Sequence, residues 1–201
     1  MTSRVRCGGR LAPPPRAPQA RAVPADHDAD PAAERAAIEA LRAAGELETA
    51  HRRAVALADS HHDHAGAQAA AAYACDRLGR EREAVRYYTQ AYELGGPDDD
   101  PAGFLLGYGS TLRNVGRHDD AIAILGQAAL EHPDHAALRA FLALALHSAG
   151  HATLALATML DAALASSPTA FAPYRRALGD YLAELQDAAL PALSPEPRSP
   201  P

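Results

Sequence analysis

The stretch AGFLLGYGSTLRNVGRHDDAIAILGQAALEHPDH, residues 102–135, determines the fold of this chain. It contains two helix-favouring segments separated by Gly116, and glycine ends helices readily because it adopts the left-handed backbone conformation at no steric cost. Small residues stand where two antiparallel helices would cross, at Gly109 and Ala121. The stretch therefore predicts a pair of antiparallel helices whose backbones approach closely.

The same arrangement recurs along the chain every 34 to 37 residues. The glycines that would end the first helix of each pair are Gly45, Gly79, Gly116 and Gly150. Five positions after them stand Ala50, Ala84, Ala121 and Ala155, and four positions before them stand Leu41, Cys75, Leu112 and Leu146. One helix pair cannot bury its apolar face alone, so the repeat predicts stacked pairs that share a continuous core.

This helix–turn–helix pattern resembles the tetratricopeptide repeat, and more narrowly the bacterial domain called tetratrico peptide repeat group 5. The resemblance covers roughly residues 35–185. It implies an all-α fold, a right-handed superhelical solenoid of about four antiparallel helix pairs plus a C-terminal capping helix. The predicted repeat domain spans residues 31–189, with units 31–64 (degenerate), 65–98, 102–135 and 136–169 and a cap over 170–189.

Aspartates stand sixteen residues before three of the glycines, at Asp63, Asp100 and Asp134. An aspartate side chain caps the free amides at a helix start, so each is expected to begin a first helix. Residues 1–28 and 191–201 are rich in proline and lack periodicity, and both are predicted to be disordered tails.

Composition excludes several classes of function. All 19 basic residues are arginine, so chemistry that needs lysine, such as Schiff-base formation, is excluded. Most acidic residues lie after the basic start of the chain, and an acidic body argues against binding nucleic acid. No apolar run is long enough to cross a membrane, and the two cysteines, Cys7 and Cys75, are not expected to pair. We expect a cytoplasmic, bacterial protein without a cofactor.

Candidate chemical groups cluster at one predicted loop, His61, His62 and His64 around Asp63. Imidazoles bind zinc, so the alternative to a binding protein is a metal-handling or small regulatory enzyme that uses these histidines. A solvated loop is the simpler interpretation, because adjacent side chains do not all converge on one ion. Cys75 falls on a core position, and no arrangement of acid, base and nucleophile is recognisable.

The resemblance instead implies an interaction surface on the concave side, formed by the first helix of each pair. The family positions that face this groove correspond to Tyr73, Asp76, Arg77, Leu106, Ser110, Arg113, Asn114, Leu144 and His147. Arginine offers a planar fork to carboxylates, and asparagine binds peptide backbone. We therefore expect a non-catalytic adaptor, monomeric or weakly self-associating, that binds a protein or peptide segment with acidic residues or a free C-terminus.

Overall fold

The computed structural model describes residues 30–189, and within this range the chain forms helices and no strands. Eight α-helices follow one another in four pairs, and a short 3-10 turn, Ala172–Tyr174, precedes a ninth helix. The helices are α1 (Pro31–Ala43), α2 (Leu47–Ser60), α3 (Ala65–Arg77), α4 (Glu81–Glu93), α5 (Pro101–Asn114), α6 (His118–Glu131), α7 (Ala136–Ser148), α8 (Ala152–Ser166) and α9 (Arg175–Ala189).

The helices stack in chain order. Each helix packs against the next one along the sequence, and the first helices α1, α3, α5 and α7 also contact one another in series. The second helices of the described pairs do not contact one another. The first helices therefore form the inner layer of a solenoid and the second helices form the outer layer. The predicted all-α solenoid is confirmed.

The four repeating glycines end the first helices as predicted. Gly45, Gly79, Gly116 and Gly150 have φ angles of +80°, +69°, +85° and +91°, which only glycine adopts easily. The amide that follows each glycine donates to the carbonyl five residues earlier, for example Arg117 N to Leu112 O at 2.9 Å. This bond satisfies a carbonyl that the end of the helix would otherwise leave without a partner.

Alanines and aromatic residues divide the core between them. Ala50, Ala84 and Ala121 are completely buried where the two helices of a pair cross. The interface between the second and third pairs is instead aromatic, and its centre is Tyr88 of α4. The ring of Tyr88 lies 5.7 Å from that of Phe104 and 5.6 Å from that of Tyr108, measured between centroids. Small residues thus join helices within a pair, whereas large rings join α4 to α5.

The predicted helix caps are correct at only one of three positions. Asp100 caps α5, since its Oδ1 accepts from Gly103 N at 2.9 Å. Asp63 and Asp134 do not act as caps, because α3 and α7 begin one residue later than an aspartate cap requires. Their N-cap residues are His64 and His135. At α5, Pro101 suits the first helical position and fixes the start directly after the aspartate.

The C-terminal helix is shorter than the predicted range 170–189. Pro173 lies in the 3-10 turn, and α9 begins only at Arg175. α9 packs against α8, as a capping helix must, but it leaves Tyr174 and Tyr181 67% and 57% exposed. The two predicted tails, residues 1–28 and 191–201, lie wholly outside the described residues. None of the helices within residues 30–189 has the length and apolarity needed to cross a bilayer.

Candidate functional site

The predicted groove residues lie on three consecutive first helices of the inner layer. α3 carries Tyr73, Asp76 and Arg77; α5 carries Leu106, Ser110, Arg113 and Asn114; and α7 carries Leu144 and His147. These helices present equivalent faces because each ends at a glycine in the same register. The question is which of these side chains the packing brings together.

Four of them line one open cavity between α3 and α5. This cavity, the central cavity, has a volume of about 400 Å³. Its lining residues are Arg42, Tyr73, Asp76, Arg77, Tyr88, Gly103, Leu106 and Gly107. Tyr73 and Leu106 are half-buried and supply apolar surface, whereas Arg77 is exposed at the rim. An apolar floor with a few polar groups at its edge is the usual composition of a ligand-binding cavity.

A second cavity, the N-terminal cavity, continues the first one toward α1. Its volume is about 480 Å³, and it shares Arg42 and Tyr73 with the central cavity. The guanidinium of Arg42 lies 5.7 Å from the centroid of the Tyr73 ring, within the range of a cation–π contact. At its edge Arg35 of α1 forms an ion pair with Asp99 of the α4–α5 loop. The two cavities form one groove from α1 to α5.

Asp76 lies in an environment that is unfavourable for an ionised carboxylate. Burial raises the pKa of its carboxyl, and the charge of Glu81 adds to the rise. The hydroxyl groups of Thr111 and Tyr88 and the charge of Arg77 oppose that shift. No basic side chain within residues 30–189 forms an ion pair with Asp76 at 4.0 Å or less. The carboxylate is therefore partly desolvated without a close cation.

Burial also perturbs Tyr73, the aromatic residue shared by both cavities. It raises the pKa of the phenol to about 12, and the negative charges of Asp100 and Asp99 act in the same direction. Arg35 and Arg42 oppose the shift. Tyr73 is therefore a neutral hydrogen-bond donor at physiological pH, with its ring packed edge-on against Tyr88 at 5.9 Å between centroids.

Arg113 and Asn114 belong to a polar chain that links three repeats. Asn114 Nδ2 donates to Glu81 Oε1 at 2.9 Å, and Arg113 Nη2 donates to Asn114 Oδ1 at 3.1 Å. Arg113 Nη1 reaches Ser148 Oγ of α7 at 3.3 Å. The guanidinium thus contacts neutral acceptors, and no carboxylate within the described range forms an ion pair with it.

The other predicted residues, Arg113 and Asn114 included, do not line either cavity. Ser110 is half-buried on α5, His147 is exposed on α7, and Leu144 is 40% exposed. Sequence reasoning missed Arg42, which lines both cavities. The signal was present, because Arg42 stands three residues before Gly45, as Arg113 does before Gly116. It was overlooked because unit 31–64 matches the repeat pattern poorly.

The histidine loop does not assemble a metal site. His62 and His64 are exposed, and His64 Nδ1 accepts from Ala67 N at 3.3 Å as a helix cap. Among residues 30–189, the side chains that converge as a potential metal-binding group are instead His51, Cys75 and Glu83. The neighbouring carboxylates of the α4–α5 loop already have partners. Asp99 forms the ion pair with Arg35, and Asp100 caps α5.

The order of the helices and the register of their glycines define a helical-repeat protein of the superhelical type. The chain belongs to the tetratricopeptide repeat family, since the family model described as Tetratrico peptide repeat matches residues 63–185. Repeats of this family are in general non-catalytic modules for protein–protein interaction. No curated protein matches the sequence.

Among solved structures, that of MamA protein has a similar fold. The crystal structure of MamA protein is 15% identical, with a TM-score of 0.58, over 80% of this chain and 90% of that chain. PilF of Pseudomonas aeruginosa is 19% identical, with a TM-score of 0.49, over 77% and 75% of the two chains. YrrB, a TPR protein with an unusual peptide-binding site, is 17% identical, with a TM-score of 0.32, over 70% and 88%. At such identities the likeness to MamA concerns the fold alone.

Proposed function

We propose that the chain is a non-catalytic adaptor that binds a segment of a partner protein in the groove formed by its central and N-terminal cavities. The observation that carries this proposal is the convergence of Tyr73, Asp76, Arg77 and Leu106 on one open cavity of the inner layer. Inner surfaces of solenoids are extended and concave, so they suit an extended or helical segment.

Apolar contacts would supply most of the affinity. Tyr73 is held by Tyr88 and Arg42, so it offers a large surface that loses little freedom when a partner binds. Leu106, Gly103 and Gly107 of α5 line the same cavity, and the two glycines add no side-chain bulk to it. A partner side chain of leucine or aromatic size fits this arrangement, because it would be buried between Tyr73 and Leu106.

Charge at the rim favours a partner with a carboxylate. Arg77 is exposed at the rim of the central cavity and forms no ion pair with any carboxylate of residues 30–189. Arg113 lies outside both cavities, near the C-terminal end of α5, and forms no such ion pair either. An acidic side chain or a free C-terminus can accept two parallel hydrogen bonds from either guanidinium. Asp76, in turn, lies where an amide or a cation of the partner would relieve its desolvation.

The test is affinity capture from a lysate of the source organism with three forms of the chain. Leu106→Glu places a charge on the floor of the central cavity, whereas Leu130→Glu makes the same change on α6, where Leu130 is 78% exposed. A partner that binds the unmodified chain should be lost with Leu106→Glu and retained with Leu130→Glu. Circular dichroism of both variants checks that the helices persist.

A second variant, Arg113→Glu with Asn114→Ala, tests the charged part of the proposal. It should weaken binding of the same partner, and added salt should no longer weaken the residual binding, because the change replaces an attraction between opposite charges with a repulsion that salt screens. Equal capture by the unmodified chain, Leu106→Glu and this double variant would overturn the groove proposal. Binding would then lie on the outer layer or the tails.

A further inference from the structure

Three helices bring a histidine, a cysteine and a glutamate together away from the groove. His51 of α2, Cys75 of α3 and Glu83 of α4 each offer one ligand atom, and these atoms all lie within 4.8 Å of one another. His51 is 8% exposed and Cys75 is completely buried, while Glu83 is half-buried. We call these three residues the His–Cys–Glu cluster. Neither the groove nor the predicted histidine loop includes them.

The distances within the cluster are close to those of a tetrahedral zinc site. Zinc bonds of 2.0–2.3 Å to nitrogen, sulfur and oxygen place neighbouring ligand atoms roughly 3.3–3.6 Å apart. His51 Nε2 and Glu83 Oε1 are 3.8 Å apart. The ligand atoms therefore need to approach one another by only about 1 Å, a movement that small rotations of the three side chains can supply.

The cluster already accommodates a positive charge. Arg80 Nη1 lies 3.1 Å from Nδ1 and 3.2 Å from Nε2 of His51. The other terminal nitrogen of Arg80, Nη2, lies 3.1 Å from both carboxylate oxygens of Glu48. The guanidinium is always charged, so a cation sits against the imidazole without a bound metal. The Arg80 side chain is 40% exposed and can move into solvent when another cation takes its place.

We propose that His51, Cys75 and Glu83 bind one zinc ion that ties α2 to α3 and α4, with water as the fourth ligand on the side where Arg80 now lies. A mixed set of imidazole, thiolate and carboxylate suits zinc, whereas magnesium and calcium prefer oxygen ligands alone. The thiolate and the carboxylate together balance the two charges of the ion, so the buried site is neutral overall.

Binding displaces one proton and changes no oxidation state. In the metal-free chain, burial raises the pKa of the Cys75 thiol to about 12, and the charge of Glu83 adds to the rise. The thiol is therefore protonated at neutral pH. When the ion binds, the S–H proton passes to solvent and a sulfur–zinc bond forms.

The experiment is a titration of the untagged full chain, freed of metal by a chelator, with cobalt(II) followed by zinc(II). Cobalt in a tetrahedral site that contains a thiolate gives a sulfur-to-metal absorption band in the near ultraviolet and visible bands from its geometry. We expect one equivalent of cobalt to produce the near-ultraviolet band and the visible bands, and zinc to abolish all of them. Each metal should also raise the unfolding temperature of the chain. The near-ultraviolet band should be absent from Cys75→Ser.

Two further variants separate this cluster from other metal-binding residues. Glu83→Gln changes a half-buried side chain, so the fold should persist, yet it should weaken cobalt binding and shift the visible bands. His61→Ala with His62→Ala alters the exposed loop and should bind cobalt like the unmodified chain. Absence of the near-ultraviolet band from the unmodified chain would overturn the proposal. Binding that survives Glu83→Gln and Cys75→Ser but fails in the loop variant would overturn it equally.

Discussion

Gly109 of α5 packs so closely on Leu125 of α6 that a Cβ atom on the glycine would lie 2.4 Å from Leu125 Cγ. Leu125 is completely buried, so its side chain cannot swing out into solvent to make room. The contact joins the two helices of the third pair at their crossing. Any larger residue at position 109 must push the helices apart.

Gly109→Ala should therefore destabilise the chain. Overpacking should cost roughly 1–3 kcal/mol of unfolding free energy, and the higher helix propensity of alanine should offset about 1 kcal/mol of that cost. The matched control is Gly126→Ala, also within this helix pair, where an added Cβ would meet nothing within 4 Å. That change should stabilise the chain by about 0.5–1 kcal/mol. Urea unfolding followed by circular dichroism measures both. Equal stability of the two variants would contradict the packing argument.

The cap of α5 gives a second prediction. Asp100→Ala removes the carboxylate that accepts from Gly103 N and should cost about 1 kcal/mol of unfolding free energy. Asp134→Ala removes an exposed aspartate that stands outside the N-cap of α7, and it should change stability by less than about 0.5 kcal/mol. Thermal unfolding of the two variants distinguishes them. A loss of stability in Asp134→Ala as large as that in Asp100→Ala would mean that both aspartates act as caps.

Asp76 should make stability depend on pH in the acidic range. Its pKa is raised in the folded state by burial, so the ionised form destabilises the fold and stability is gained as pH falls through the folded pKa. Asp76→Asn should therefore raise the unfolding free energy at pH 7. The advantage should shrink as pH falls. Asp98→Asn, in the exposed α4–α5 loop, is the control and should show no such trend.

Buried tyrosines should make the fold sensitive to alkali. Burial raises the pKa of Tyr88 strongly and that of Tyr73 to about 12, so both keep their protons in the folded state after the unfolded chain has lost them. The contribution of the two tyrosines to stability should be constant below about pH 10 and fall as pH rises from about 10 to 12. Tyr88→Phe should flatten this fall, whereas Tyr181→Phe, at an exposed position, should not. Urea unfolding at pH 8 to 12 measures the stability of the unmodified chain and of both variants. Coincidence of the three stability curves would refute the prediction.

Much of the fold could be predicted because the repeat depends on local signals. Gly45, Gly79, Gly116 and Gly150 mark helix ends whatever packs around them, and the alanine five residues later marks the crossing. The caps were harder, since Asp63 and His64 compete for the start of α3 and a difference of one residue decides the outcome. The start of α9 was misplaced because the turn before it, which contains Pro173, still looks like helix in composition.

The site was predictable only in part. Tyr73, Asp76, Arg77 and Leu106 fall on the inner face by register alone, but their convergence depends on how α3 and α5 pack around Tyr88. The His–Cys–Glu cluster had no signal in the sequence. His51 and Cys75 are 24 residues apart and come from different pairs, so only the packing of α2 against α3 brings them together.

The chain-order packing of the helices has a consequence for how the protein is made. Between residues 30 and 189, no helix needs a partner from a distant part of the sequence, because each contacts only those one or two places away. A pair that leaves the ribosome can thus dock on the pair before it while later residues are still being added. Such a molecule is completed by addition at one end, and its partial products are shorter versions of the finished structure.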